Sequence, residues 1–67
     1  MIKVVLNGKN RILNSNLNVT GLLKELELDS RVVAIEINME IIQKSKYDTL
    51  KINNGDKIEI IHLVGGG

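Results

Sequence analysis

Cysteine is absent from the 67 residues, so no disulfide, thiolate nucleophile or Cys-based metal site is available. Phenylalanine and tryptophan are absent as well, and Tyr47 is the only aromatic residue. Without aromatic platforms for base stacking, recognition of single-stranded nucleic acid is disfavoured. No basic block exists either: Lys+Arg 9 against Asp+Glu 8 gives a net charge of +1, with the two signs interspersed. A phosphate backbone would find nothing concentrated enough to neutralise it, so no nucleic-acid partner is expected. No apolar run approaches the roughly 20 residues needed to cross a bilayer, and Met1-Ile2-Lys3 lacks the layout of a signal peptide. The expectation is a cytoplasmic protein with no membrane partner. A chain this short is near the lower limit for folding alone, and its core has to be built from Ile, Leu and Val.

The aliphatic residues are arranged to do this. Ile2, Val4 and Leu6 alternate along a first strand, and Asn7-Gly8 is a strong hairpin signal leading into a return strand at Arg11-Ile12-Leu13. The period then changes. Val19, Leu22, Leu23 and Leu26 form one stripe of an amphipathic helix, with Asn18 as its N-cap and Leu28-Asp29-Ser30 as its end. Gly21 falls where a capping box would place Glu or Gln, so Asn18 is expected to cap alone. Period two returns over residues 32–38, with Val33, Ile35 and Ile37 on one face and Ala34 and Glu36 on the other. Asn38-Met39 predicts a tight turn into a short strand at Glu40-Ile41-Ile42. Residues 43–49 read as an irregular loop or a single helical turn, with Leu50 and Ile52 anchoring its far end. Asn53-Asn54-Gly55-Asp56 is a second clear turn, before a final strand at 57–64 with Ile58 and Ile60 inward and Lys57 and Glu59 outward.

This order predicts an α+β layer pair: a mixed sheet of four to five strands with one main helix across one face. First and last strands are expected side by side and parallel at the sheet centre, joined by a crossover that the helix and middle strands supply. That is the β-grasp, or ubiquitin-like, arrangement. It predicts one domain over residues 1–64 and an extended tail at 65–67.

The tail is the least ordinary stretch. Gly65-Gly66-Gly67 packs nothing and costs conformational entropy, so a fold gains little from it. A frayed terminus is the plain explanation. The chemical one is that a side-chain-free segment, about 13 Å long when fully extended from Leu63, enters a narrow cleft and presents the Gly67 carboxylate there.

Taken together, Val19-Thr20-Gly21-Leu22-Leu23-Lys24-Glu25-Leu26, Val33-Ala34-Ile35-Glu36-Ile37-Asn38 and Asn54-Gly55-Asp56-Lys57-Ile58-Glu59-Ile60-Ile61-His62-Leu63-Val64-Gly65-Gly66-Gly67 resemble the ThiS family of thiamine-pathway sulfur carriers over nearly the whole chain. Met39 stands where the family usually has glycine, and Gln43 where proline is common. The resemblance implies a flexible diglycine tail and a carrier rather than an enzyme, with no catalytic residue and no bound cofactor or metal. A ThiF-type partner would use ATP to adenylate the Gly67 carboxylate. A sulfur donor protein would convert the adenylate to a thiocarboxylate, which would deliver sulfur to a ThiG-type thiazole synthase. Alternation places Val5, Ala34, Ile61 and Leu63 on the face opposite the core, where they are expected to dock partners.

Other readings stay open on the residues alone. A MoaD-like carrier serving molybdopterin synthase, a ubiquitin-like protein modifier and a passive β-grasp module all fit the elements. The remaining polar residues have plainer roles. His62 lacks triad partners and reads as an ordinary strand residue, Asp56 as turn chemistry, Tyr47 as packing over the loop. Glu25, Glu27, Glu36, Glu40 and Glu59 read as solvated surface without metal-ligand spacing.

Overall fold

The computed structural model describes residues 1–63. Two hairpins flank the last strand. The first joins β1 (Ile2–Leu6) to β2 (Lys9–Leu13), and the second joins β3 (Val33–Ile37) to β4 (Glu40–Ile41). Between them in sequence lies α1 (Val19–Glu25), and a 3₁₀ turn (Lys44–Lys46) precedes β5 (Lys57–His62). The strand order is β2-β1-β5-β3-β4, with β1 and β5 parallel and every other neighbour antiparallel. This is the expected β-grasp, with five strands.

Both hairpin turns have left-handed backbone at their two central residues, the type I′ geometry that matches strand twist. At Asn7 (φ 48°) and Gly8 (φ 81°) the residues suit it; at Asn38 (φ 52°) and Met39 (φ 70°) the second does not. Methionine therefore occupies a conformation that costs a Cβ-bearing residue about 1–2 kcal/mol. The turn keeps its type because Asn38 is tied to the strand beside it. Asn38 N–H donates to Lys57 C=O (2.8 Å), Lys57 N–H donates to Asn38 Oδ1 (3.0 Å), and Asn38 Nδ2 donates to Asp56 Oδ1 (3.0 Å).

The inward residues of the strands, Val4, Leu6, Leu13, Val33, Ile35, Ile37, Ile58 and Ile60, pack with Val19, Leu22 and Leu23 of α1. Tyr47 and Ile52 close the same core from the 43–52 segment. Burying each such side chain is worth about 2 kcal/mol, which makes this aliphatic layer the main source of stability.

Three local expectations change. The helix stops at Glu25, three residues before Leu28. Leu28 N–H donates to Leu23 C=O (2.9 Å) and Glu27 N–H to Lys24 C=O (3.0 Å), with Glu27 left-handed at φ 57°. This paired arrangement is a Schellman stop, with glutamate where glycine is usual. Asn18 does not cap alone. Its Oδ1 accepts from Gly21 N–H (2.7 Å), while Val19 N–H and Thr20 N–H reach Leu50 C=O (3.1 Å) and Tyr47 C=O (3.0 Å). The loop thus supplies two of the cap acceptors. A Cβ at Gly21 would lie 3.0 Å from Leu17 Cδ2 and 3.1 Å from Asn18 Oδ1, so glycine there leaves room for the cap itself. Finally, strand boundaries shift: β2 starts at Lys9, β4 ends at Ile41, and β5 ends at His62 with Leu63 in a bend.

Candidate functional site

The base of β5 is held by its preceding turn. Asp56, buried at 8% exposure, accepts from Asn53 N–H through Oδ2 (2.8 Å) and from Asn38 Nδ2 through Oδ1. Gly55 N–H donates to Lys3 C=O (2.7 Å), and Lys3 N–H donates to Asn54 Oδ1 (2.8 Å). The Asp56 carboxylate therefore closes its own turn and ties it to the β3–β4 hairpin, while Gly55 and Asn54 tie the turn to β1.

From this base β5 runs toward residues 64–67. The register places Ala34 directly opposite Ile61 on the face away from α1, and Leu63 N–H donates to Val32 C=O (2.8 Å) one step further on. Ile61 is 43% exposed and Leu63 58%. Val5 shares that face but pairs with Lys57, four positions back along β5, or about 13 Å at strand rise. The four expected docking residues therefore divide into a group of three at the end of β5 and one at its base. Glu36 and Glu59 lie opposite each other between the two, a like-charged pair that opposes sheet pairing.

Ile12 (56% exposed), opposite Lys3, and Ile41 (59%), opposite Glu36, lie on the same outer face. Neither was among the expected docking residues. The inward position of Leu13 already implied that Ile12 points outward; Ile41 required the β3–β4 register.

His62 is exposed opposite Val33. Among the described residues no group of three or more His, Asp or Glu side chains could hold a metal ion, and no helix is long and apolar enough to cross a membrane. Among the described residues the one ion pair is Arg31–Asp29 (2.8 Å), on the loop before β3. Hydrogen bonds from the Arg31 side chain and its backbone N–H lower the Asp29 pKa to about 2. Gly65, Gly66 and Gly67, the expected reactive tail, lie outside the described residues, as does Val64.

The match to the ThiS family model runs over residues 4–67 and so takes in both the β5 surface and the glycines. The chain belongs to the ThiS family. It is 41% identical over 49 residues to the sulfur carrier protein ThiS of Bacillus subtilis, covering 73% of this chain and 74% of that one. A thiazole synthase of Paramagnetospirillum magneticum is 47% identical over 66 residues, or 98% of this chain. The chain spans 20% of the length of that synthase. The crystal structure of a thiamine biosynthesis protein (ThiS) from Geobacter metallireducens superposes with a TM-score of 0.84 at 30% identity, covering 98% of this chain and 100% of that one.

Proposed function

We propose that this ThiS-family chain is a sulfur carrier in formation of the thiazole half of thiamine, and that the Gly67 carboxylate is its reacting group. The observation that carries the reading is the family match extending to residue 67, through all three glycines. The Bacillus subtilis relative supports the carrier role, and the thiazole synthase similarity supports a ThiG-type acceptor of the sulfur.

The chemistry requires activation. A carboxylate is a poor acyl donor because its leaving group would be oxide. A ThiF-type enzyme supplies ATP, the carboxylate oxygen attacks its α-phosphorus, and pyrophosphate leaves an acyl adenylate on Gly67. The terminal sulfur of a donor persulfide then attacks the acyl carbon and AMP departs. A thiol cleaves the resulting acyl disulfide, taking the donor sulfur into a new disulfide and leaving the thiocarboxylate. None of these steps uses an acid or base on the carrier; its contribution is a tail thin enough to enter the partner's site. Ala34, Ile61 and Leu63 dock the partner beside that tail, and Val5 makes a separate contact at the base of β5.

Intact-mass analysis after incubation with ATP, a purified adenylating enzyme and a sulfur source tests this. The expected product has one terminal oxygen replaced by sulfur. A variant with one alanine added after Gly67 has an amide in place of the acid and should load no sulfur; equal loading of that variant would refute the reading. Attachment to lysines of other proteins would point instead to a protein modifier. Ile61→Asp with Leu63→Asp should abolish partner binding while leaving the fold intact, and unchanged binding would remove these residues from the docking surface.

A further inference from the structure

Asparagine precedes glycine at two places, Asn7-Gly8 and Asn54-Gly55. Such pairs are chemically labile, because the glycine nitrogen can attack the asparagine side-chain carbon. A residue without a side chain neither shields that nitrogen nor restricts the backbone rotation that the attack requires. Exposure does not separate the two pairs. All four residues are exposed, and a Cβ at either glycine would meet nothing within 4 Å. Hydrogen bonding separates them. At the second pair both reacting groups are held by β1: Gly55 N–H donates to Lys3 C=O (2.7 Å), and Asn54 Oδ1 accepts from Lys3 N–H (2.8 Å). At the first pair only the side chain is held, with Asn7 Oδ1 accepting from Ile60 N–H (2.7 Å). Gly8 N–H has no hydrogen-bond partner among the described residues. Asn38 takes the same position in the other type I′ turn, but Met39 follows it, and its side chain is bonded to both Lys57 and Asp56.

We infer that Asn7 is a site of spontaneous deamidation, and that the β1–β2 turn is where this protein first ages chemically. The Gly8 nitrogen bonds to Asn7 Cγ, its proton passes through solvent to the side-chain amide, and ammonia leaves from Cγ. The product is a five-membered cyclic imide. Water then adds to one of the two imide carbonyl carbons. Addition at Cγ breaks the new Cγ–N bond and leaves an aspartyl residue in a normal backbone. Addition at the main-chain carbonyl carbon breaks the original peptide bond and leaves an isoaspartyl linkage, with the chain running through the former side chain. Water is the only co-reactant, and no electrons are exchanged.

The two products differ in what they do to β5. An aspartyl side chain keeps an oxygen within reach of Ile60 N–H. The isoaspartyl form lengthens the main chain of a two-residue turn and turns the former side-chain carbonyl into a peptide carbonyl, so Ile60 N–H loses its acceptor. Ile60 follows the last residue of β5 that pairs with β1, Ile58, and precedes the exposed Ile61 and Leu63. Isoaspartyl formation therefore releases β5 from the first hairpin at the point where its aliphatic outer surface begins.

Peptide mapping by mass spectrometry tests the inference on the folded full chain, incubated in mildly alkaline buffer. The Asn7 peptide should convert about tenfold faster than the Asn54 peptide, where one further hydrogen bond has to open. In guanidinium the two should convert at similar rates, because the fold is what distinguishes them. Equal rates in the folded protein overturn the inference, as does faster conversion at Asn54. So does a gap of the same size in guanidinium, since the sequence alone would then account for it. Amide exchange on the separated products tests the effect on β5. The Ile60 amide should exchange about tenfold faster in the isoaspartyl form than in the parent, whereas Asn7→Asp, which keeps the acceptor, should stay within about twofold. An Ile60 amide equally protected in the isoaspartyl form overturns the link to β5. Neither readout depends on sulfur loading, so the carrier reading and this inference stand or fall separately.

Discussion

The two halves of β5 are built on opposite terms. Its base is gripped from both sides: β1 pairs at Lys57 and Ile58, and β3 pairs at Ile58 and beyond. Asn38 caps it, and Asp56 holds the turn below. Its far half has β3 on one side, a single asparagine side chain on the other at Ile60, and exposed aliphatics at Ile61 and Leu63. Anchoring is concentrated where the chain enters the strand, and exposed aliphatic surface where it leaves. The proposed docking beside the tail would draw on this separation, since the contact residues lie away from the part of the strand that holds the fold together.

The largest expected effect tests the base. Ile58, at 0% exposure, sits in the aliphatic core; Ile58→Ala should cost about 3 kcal/mol in urea unfolding, from lost transfer energy and the cavity left. The same change at Ile61 should cost under about 0.5 kcal/mol. Comparable losses at both positions would erase the contrast. Next is Asp56→Ala, which strips the acceptors from Asn53 N–H and Asn38 Nδ2 and should cost about 2 kcal/mol by the same measurement.

Met39→Gly should act in the other direction. It relieves a left-handed methionine that is 83% exposed, and should stabilise by about 1 kcal/mol, read as a raised thermal midpoint. No gain would mean that Met39 packs against something that offsets its strain. The smallest effect belongs to the loop beside the far half. Asp29 should titrate near pH 2 by carboxyl NMR, and Arg31→Ala should return it toward 3.8. A lowered folded pKa means that the pair's contribution is present above the ordinary carboxylate range and lost as pH falls through about 2. Because both side chains are exposed to solvent, the accompanying change in stability should be slight.

Much of the architecture was legible because short-range signals agree with one another. Ile2, Val4 and Leu6 alternate, Asn7-Gly8 dictates its turn, and the switch to Val19, Leu22 and Leu23 marks the helix. Features set by distant backbone were not legible. The helix stop depends on Glu27 in a left-handed conformation that its side chain does not advertise, and the remaining caps come from Tyr47 and Leu50, more than twenty residues downstream. The outer face could be read strand by strand, but its grouping could not. Alternation alone puts Val5 with Ile61; only the parallel register, with Val5 beside Lys57, shows them at different ends.

The carbonyls of Tyr47 and Leu50 have a consequence for how the molecule comes apart. Seven residues are too few for a helix to persist in water by itself. Because its first amides are satisfied by the 43–50 segment, that segment cannot peel away and leave the helix behind. The two should open and close as one unit, so a lengthened or cut 43–50 loop would loosen a helix that begins more than twenty residues upstream of it.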